Sequence, residues 1–183
     1  MNMRRMWSVL SVPLAALLAG CTTAPTIPAA GYVDLQRFMG DWYVIASIPT
    51  RLEVGAHNAV ESYRLEADGT IATTFTFRAG AFDGEQKVME PRGFVRDTTT
   101  NAVWGMQFVW PIKAEYVIAH VDPDYTQTII GRSKRDYVWI MARTPTLPSD
   151  EYARLEQRVR ELGYDVSQLQ RVPQQWSGAG GNP

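Results

Sequence analysis

Gly40-Asp41-Trp42-Tyr43-Val44-Ile45-Ala46-Ser47-Ile48-Pro49 opens the folded part of this 183-residue chain. A glycine turn leads into a strand whose third residue is an indole, and Pro49 stops it. The chain then continues as short alternating segments at 59–65, 70–78, 86–95, 103–110, 115–121, 126–131 and 137–143. Turn chemistry at Ala67-Asp68-Gly69, at the glycine-rich 79–84 and at 98–101 separates them. With 42–48 this makes eight strands and predicts an all-β, eight-stranded up-and-down antiparallel barrel. An open sandwich is the alternative, and near-uniform hairpin spacing favours closure. A barrel needs a seal at one end, and Trp42 supplies a flat side chain with one N–H donor. Arg143, ending Trp139-Ile140-Met141-Ala142-Arg143, is the cation that would stack on it. An ordinary buried strand aromatic is the competing reading of Trp42.

After the strands the sequence predicts one α-helix packed outside the barrel. Ser149 reads as its N-cap, with Asp150 and Glu151 in the first turn. Tyr152, Leu155, Val159 and Leu162 form one apolar face, and Gly163 is the stop. The glycine-rich 177–183 is expected to be a disordered tail. A composition of 45% hydrophobic and 20% charged residues suits one domain, and a net charge of -1 points away from nucleic acid.

Residues 1–20 read as an export signal. Arg4 and Arg5 precede an apolar run at 9–18 that is short for a membrane span. Leu18-Ala19-Gly20-Cys21 resembles the lipobox of bacterial lipoproteins. That resemblance implies acylation of Cys21, the only cysteine, and a membrane anchor made of lipid chains. A plain secretory signal is the other reading. Residues 21–31, rich in Pro, Thr and Ala, read as a tether to a domain at 32–176. Thr22, rather than Asp, follows the cysteine, which by the lipoprotein sorting rule implies the outer membrane.

Three ordered motifs now support a family. Gly40-Asp41-Trp42, Asp122-Pro123-Asp124-Tyr125 and the strand ending in Arg143 resemble the three motifs of the lipocalins. The runs Arg135-Asp136-Tyr137-Val138-Trp139-Ile140-Met141-Ala142-Arg143-Thr144-Pro145 and Gly163-Tyr164-Asp165-Val166-Ser167 are similar to the bacterial outer-membrane, apolipoprotein D-like branch. The resemblance covers about 32–173. It implies a calyx sealed by Gly40, Trp42, Asp122 and Arg143 and open at the other end. It also implies a non-catalytic protein that binds fatty acids or lysophospholipids, displayed on the periplasmic side of the outer membrane.

Strand alternation names the lining of such a cup. With Trp42 inside, Val44, Ala46 and Ile48 share its face. Glu61, Tyr63 and Leu65 point in from the second strand, and Ile71, Thr73, Phe75 and Phe77 from the third. Met89 is placed with them from the fourth. Trp104, Met106 and Phe108, then Tyr116, Ile118 and His120, then Trp139 and Met141 complete the set. Bulges or register slips would invert a strand's set. The interior is then aromatic and methionine-rich, as an acyl chain requires, although in a small barrel the same aromatics can fill the space outright. Glu61 and His120 are out of character there. They contact a ligand head group, pair with each other, or are relieved by a wet mouth or a bulge.

The mouth is expected at the loops 50–58, 79–85 and 111–114, where Arg51 or Lys113 would meet a phosphate or carboxylate or remain solvated charge. Trp110-Pro111-Ile112 reads as an apolar rim suited to lipid or to a homodimer contact. No cofactor is expected. His57 and His120 alone do not make a metal site, and no G-x-S-x-G elbow is present. Two rival functions remain: an adaptor lipoprotein with a filled barrel, and a weak esterase working through His120.

Overall fold

The computed structural model describes residues 26–176. The signal segment, Cys21 and the 177–183 tail lie outside the described residues. A short helix α1 (Leu35–Phe38) precedes nine strands: β1 (Gly40–Ile48), β2 (Ala56–Leu65), β3 (Thr70–Ala79), β4 (Gln86–Met89), β5 (Arg92–Val95), β6 (Val103–Val109), β7 (Ile112–Val121), β8 (Gln127–Gly131) and β9 (Val138–Ala142). Helix α2 (Ser149–Glu161) and a short β10 (Gln170–Arg171) follow. All neighbours pair antiparallel, and β9 returns to β1 to close the barrel. Closure pairs each strand of the ring with two neighbours, while β4 pairs with β3 alone.

The expected barrel is therefore present, with one strand divided. The segment read as 86–95 is broken between Met89 and Arg92, and β4 and β5 both pair with β3. Pro91 has no N–H for the ladder, and its carbonyl instead accepts from Thr73 N at 3.2 Å. The strand β10 lies beside β1 at Ala46 and Ser47. It fills the gap where β2, paired to β1 only from Gly40 to Tyr43, bends away.

Two apolar layers result. The inner one fills the barrel with Phe38, Trp42, Tyr63, Ile71, Phe75, Trp104, Tyr116, Ile118 and Met141 among others. The outer one lies under α2 and collects Tyr43, Ile45, Ile129, Ile140, Leu155 and Val159. Alternation along β9 sends Trp139 and Met141 inward and Val138, Ile140 and Ala142 outward. The helix packs outside as expected. Ser149 is its first residue rather than its cap, because Pro148 occupies the cap position and no side chain caps the helix there. Gly163, at φ +88°, ends it in the left-handed conformation that glycine adopts freely.

Two bulges change the predicted lining. On β1, Val44 pairs with Met141 but Ala46 pairs with Ile140, so Ile45 is an extra residue. Beyond it the alternation inverts: Ala46 and Ile48 face the outer layer under α2, and Ser47 takes the inward position opposite Trp139. On β7, Ile118 pairs with Ile130 but His120 pairs with Ile129, so Ala119 is extra. His120 is thereby turned out of the barrel. Its pKa is lowered, mainly by burial and then by the charge of Arg158 on α2.

Candidate functional site

The closed end is built from the first motif and α1. Asp34 caps α1 by accepting from Gln36 N and Arg37 N, which places Phe38 beneath the barrel. Trp42 Nε1 donates to Phe38 O at 2.8 Å, so the buried indole N–H is satisfied. The Arg143 guanidinium stands 3.8 Å from the Trp42 ring centroid. It donates to the carbonyls of Arg37, Phe38, Met39, Asp41 and Tyr125. Gly40 has φ +90°, and a Cβ there would lie 3.4 Å from Arg143 Nη1. Asp122 does not touch Arg143. Its carboxylate accepts from Thr126 N, Gln127 N and Thr126 Oγ1, which fixes the turn that presents Tyr125 O to the guanidinium. The seal reading of Trp42 and Arg143 thus has direct contacts, and Asp122 supports it at one remove.

Above the seal the lower barrel is solid. Phe38 meets Trp104 edge-on at 5.6 Å, and Trp104 stacks on Tyr116 at 5.4 Å. Trp104 Nε1 donates to Asn101 O. Gly93 makes room for this ring, since a Cβ there would be 3.5 Å from Trp104 Cε3 and 3.1 Å from Ile71 Cβ.

The upper barrel is hollow. A cavity of about 230 Å³ is lined by Thr50, Glu53, Glu61, Thr73, Phe75, Pro91, Met106, Phe108, Ala114, Glu115, Tyr116, Arg132, Tyr137 and Trp139. Of the expected lining residues, Glu61, Thr73, Phe75, Met106, Phe108, Tyr116 and Trp139 border it. Tyr63, Phe77, Trp104, Ile118 and Met141 face inward but belong to the packed interior, and Met89 lies half-buried against it. Phe108 departs from the expected interior position. The register shifts between Met106 and Val109, and the residue is 57% exposed at the rim.

Glu61 is 8% exposed at the inner end of the cavity. Tyr63 Oη donates to its carboxyl and lies 2.5 Å from Tyr116 Oη. Burial, and then the charge of Glu53, push the Glu61 pKa up to about 8. At neutral pH Glu61 is therefore a carboxylic acid within a phenol cluster, a state that avoids the cost of a buried unpaired charge. Tyr116 is itself raised, first by burial and then by Glu61. Glu53, raised chiefly by burial, accepts from Trp139 Nε1 at 2.8 Å and Thr50 Oγ1 at 2.7 Å. With His120 outside, Glu61 has no histidine partner.

Sequence reading missed the wall nearest the mouth. Arg132 lines the cavity, pairs with Asp136 at 3.3 Å, and keeps a buried Nε that no protein atom accepts. Glu115 accepts from Ser133 N and Oγ, both at 2.7 Å. Arg132 opens the β8–β9 connection, which lies outside the expected mouth loops, and Glu115 lies on β7. Lys113 is turned away from the mouth, with Nζ 3.3 Å from the Phe94 ring centroid. Among the described residues no group of three or more His, Cys, Asp or Glu side chains could hold a metal ion.

The "Lipocalin-like domain" family description matches residues 33–174. Temperature-induced lipocalin-1 of Arabidopsis thaliana is 31% identical over 156 residues, covering 78% of this chain and 80% of that protein. Outer membrane lipoprotein Blc of Escherichia coli K12 is 30% identical over 174 residues, covering 93% and 98%. The solved structure of insecticyanin from Manduca sexta superimposes with a TM-score of 0.66 at 15% identity, over 87% of this chain and 89% of that one. With its sealed barrel and matched motifs, the chain belongs to the lipocalin family.

Proposed function

We propose that this protein is a lipid carrier or store of the cell envelope, anchored in the outer membrane through acylated Cys21 and facing the periplasm. Its cargo is a single-chain lipid, a fatty acid or a lysophospholipid. The observation that carries this reading is the cavity, apolar at Phe75, Met106, Phe108, Pro91 and Ala114 and open at the rim. Its volume of about 230 Å³ lies just below ordinary ligand pockets, about 300–1,000 Å³, and suits one chain rather than two. Burial of ten methylenes contributes roughly 8 kcal/mol gross at about 0.8 kcal/mol each. That gross figure alone corresponds to a Kd of about 1 μM, and ordering costs weaken it unless polar contacts to the head group offset them. The Arg132 Nε–H, near the mouth, is placed for a phosphate or carboxylate oxygen. Likeness over nearly the whole chain to an outer membrane lipoprotein supports the location.

This reading contains no catalytic step. The esterase alternative loses its geometry because His120 lies on the far side of the barrel wall. Titration with a fluorescent fatty acid, and mass analysis of co-purifying lipids, test the proposal. One displaceable site is expected, and Ala114→Phe should weaken it at least about tenfold by filling the rim. No binding, or binding indifferent to Ala114→Phe, would instead favour the adaptor with a closed interior.

A further inference from the structure

Among the described residues, most exposed large apolar side chains are gathered at the open end, with Tyr32 near the closed end and Val88 on β4 as exceptions. Leu52, Val54, Phe82, Val109, Trp110 and Ile112 are between 39% and 82% exposed, and all lie on loops or strand ends around the mouth. Single exposed apolar residues are ordinary, whereas a ring of them on three separate connections is an interaction surface. Phe108 joins this ring to the cavity, being both exposed and part of the lining.

The N-terminal strap leads to the same end. Val33 N donates to Thr100 O at the closed end, and Ala30 N to Ile118 O midway along β7. Ile27 N donates to Ser133 Oγ on the β8–β9 connection, and Ile27 Cδ1 packs against Gly131, the last residue of β8. Followed toward Cys21, the strap therefore climbs the barrel wall and leaves it beside the mouth. The five steps from Thr26 to Cys21 span at most about 20 Å. An acyl anchor on Cys21 would hold the mouth, and not the sealed end, near the bilayer.

We propose that the open rim docks on the lipid surface that holds the anchor, so that a single-chain lipid passes between bilayer and cavity without crossing bulk water. This inference rests on the lipid-binding and anchoring reading above. The occupant is lipid rather than a second copy for two reasons. The apolar groups encircle the opening through which the cargo must pass. A mouth-to-mouth pair would also have to lift both anchored rims off the membrane. A tryptophan at the loop tip, with the exposed Arg51 on the β1–β2 connection, matches the side chains that settle at a bilayer interface.

The test uses the mature lipidated protein carrying Ile112→Cys or, at the closed end, Thr98→Cys. Each is labelled with an environment-sensitive fluorophore and added to phosphatidylethanolamine vesicles with brominated acyl chains. Acylation leaves the introduced cysteine as the sole free thiol, and intact mass of the labelled protein reports separately whether Cys21 is modified. Quenching at Ile112→Cys and not at Thr98→Cys is expected. Quenching at Thr98→Cys, at neither position, or a lipid-free dimer that already buries the Ile112→Cys label would overturn the proposal. In a second measurement, Leu52→Glu with Ile112→Glu should slow transfer of anthroyloxy-labelled fatty acid from vesicles about tenfold. Its affinity in vesicle-free solution should stay within about twofold of wild type, since neither side chain lines the cavity. An unchanged transfer rate would overturn rim docking, whereas loss of binding by the wild type in solution would overturn the carrier reading itself.

Discussion

Glu61→Gln should remove most of the alkaline sensitivity of this barrel. In the folded protein the Glu61 carboxyl is held at about 8, against an ordinary value of 4.5. The folded state therefore keeps a proton that the unfolded chain has released. The stabilisation is full below about pH 4.5 and is lost as pH rises toward the folded value. At about 1.4 kcal/mol per pH unit, the cumulative loss across this window is roughly 4–5 kcal/mol, level above about pH 8. Glutamine keeps the shape and cannot ionise. Urea unfolding at about pH 5, 6, 7 and 8 should show the wild type falling relative to the variant by about 0.5–1 M in midpoint per pH unit. Glu53, raised by burial, contributes with the same sign. His120, lowered by burial, contributes with the opposite sign. Comparing wild type with variant at each pH separates Glu61 from His120. A wild-type-minus-variant difference that stays constant from about pH 5 to pH 8 would refute the protonated Glu61. Fatty-acid affinity should follow the same titration, because an ionised carboxylate at the inner end opposes an apolar chain, and Glu61→Gln should bind independently of pH.

Other substitutions probe the seal, the outer layer and the bulges. Arg143→Gln removes the cation over Trp42 and strands several partly buried carbonyls, so a loss of about 2–3 kcal/mol is expected by urea unfolding; a loss below about 1 kcal/mol would contradict the seal. Gly131→Ala places a Cβ 2.6 Å from Tyr164 Oη and 2.7 Å from Ile27 Cδ1. It should cost about 1–3 kcal/mol and raise proteolytic nicking of the N-terminal strap. His120→Ala should leave fatty-acid affinity unchanged, since the β7 bulge holds that ring outside the cavity; weakened binding would contradict the register found there.

The strands and the seal were legible because each rests on a local signal. Turn residues bounded the strands, and alternation on β3 placed Ile71, Thr73, Phe75 and Phe77 inside as found. The bulges were not legible, because an extra residue carries no side-chain mark of its own. Val44-Ile45-Ala46 is apolar whichever face each residue takes. On β1 the choice is made by two competing burials, the barrel interior for Trp42 and Val44 and the outer apolar layer for Ala46 and Ile48. At Ile118-Ala119-His120 the small Ala119 allows the slip, and the slip lets a histidine leave the interior. Arg132 escaped notice for a different reason. Its place in the cavity wall depends on Tyr164, whose hydroxyl accepts from Arg132 N and donates to Arg132 O from 32 residues away. A contact of that range has no trace in local sequence.

The solid lower half and the hollow upper half of the barrel explain each other. Phe38, drawn up by α1, packs on Trp42 and Trp104, and Trp104 in turn backs Tyr116. That aromatic column carries the barrel's stability without any ligand, which an empty apolar cavity running its full length would undermine. It also fixes where the cavity must end, at Tyr116 and Glu61. A polar group at that boundary is tolerated because Tyr63 and Tyr116, held by the column, supply its hydrogen bonds. A shallow cavity in turn limits how much of a long lipid can be enclosed. The remainder of any longer bound molecule has to pass the rim at Phe108, which both lines the cavity and is exposed. Depth and rim are thus two aspects of one design. Filling the floor shortens the pocket, and the shortened pocket makes Phe108 at the mouth part of the binding surface.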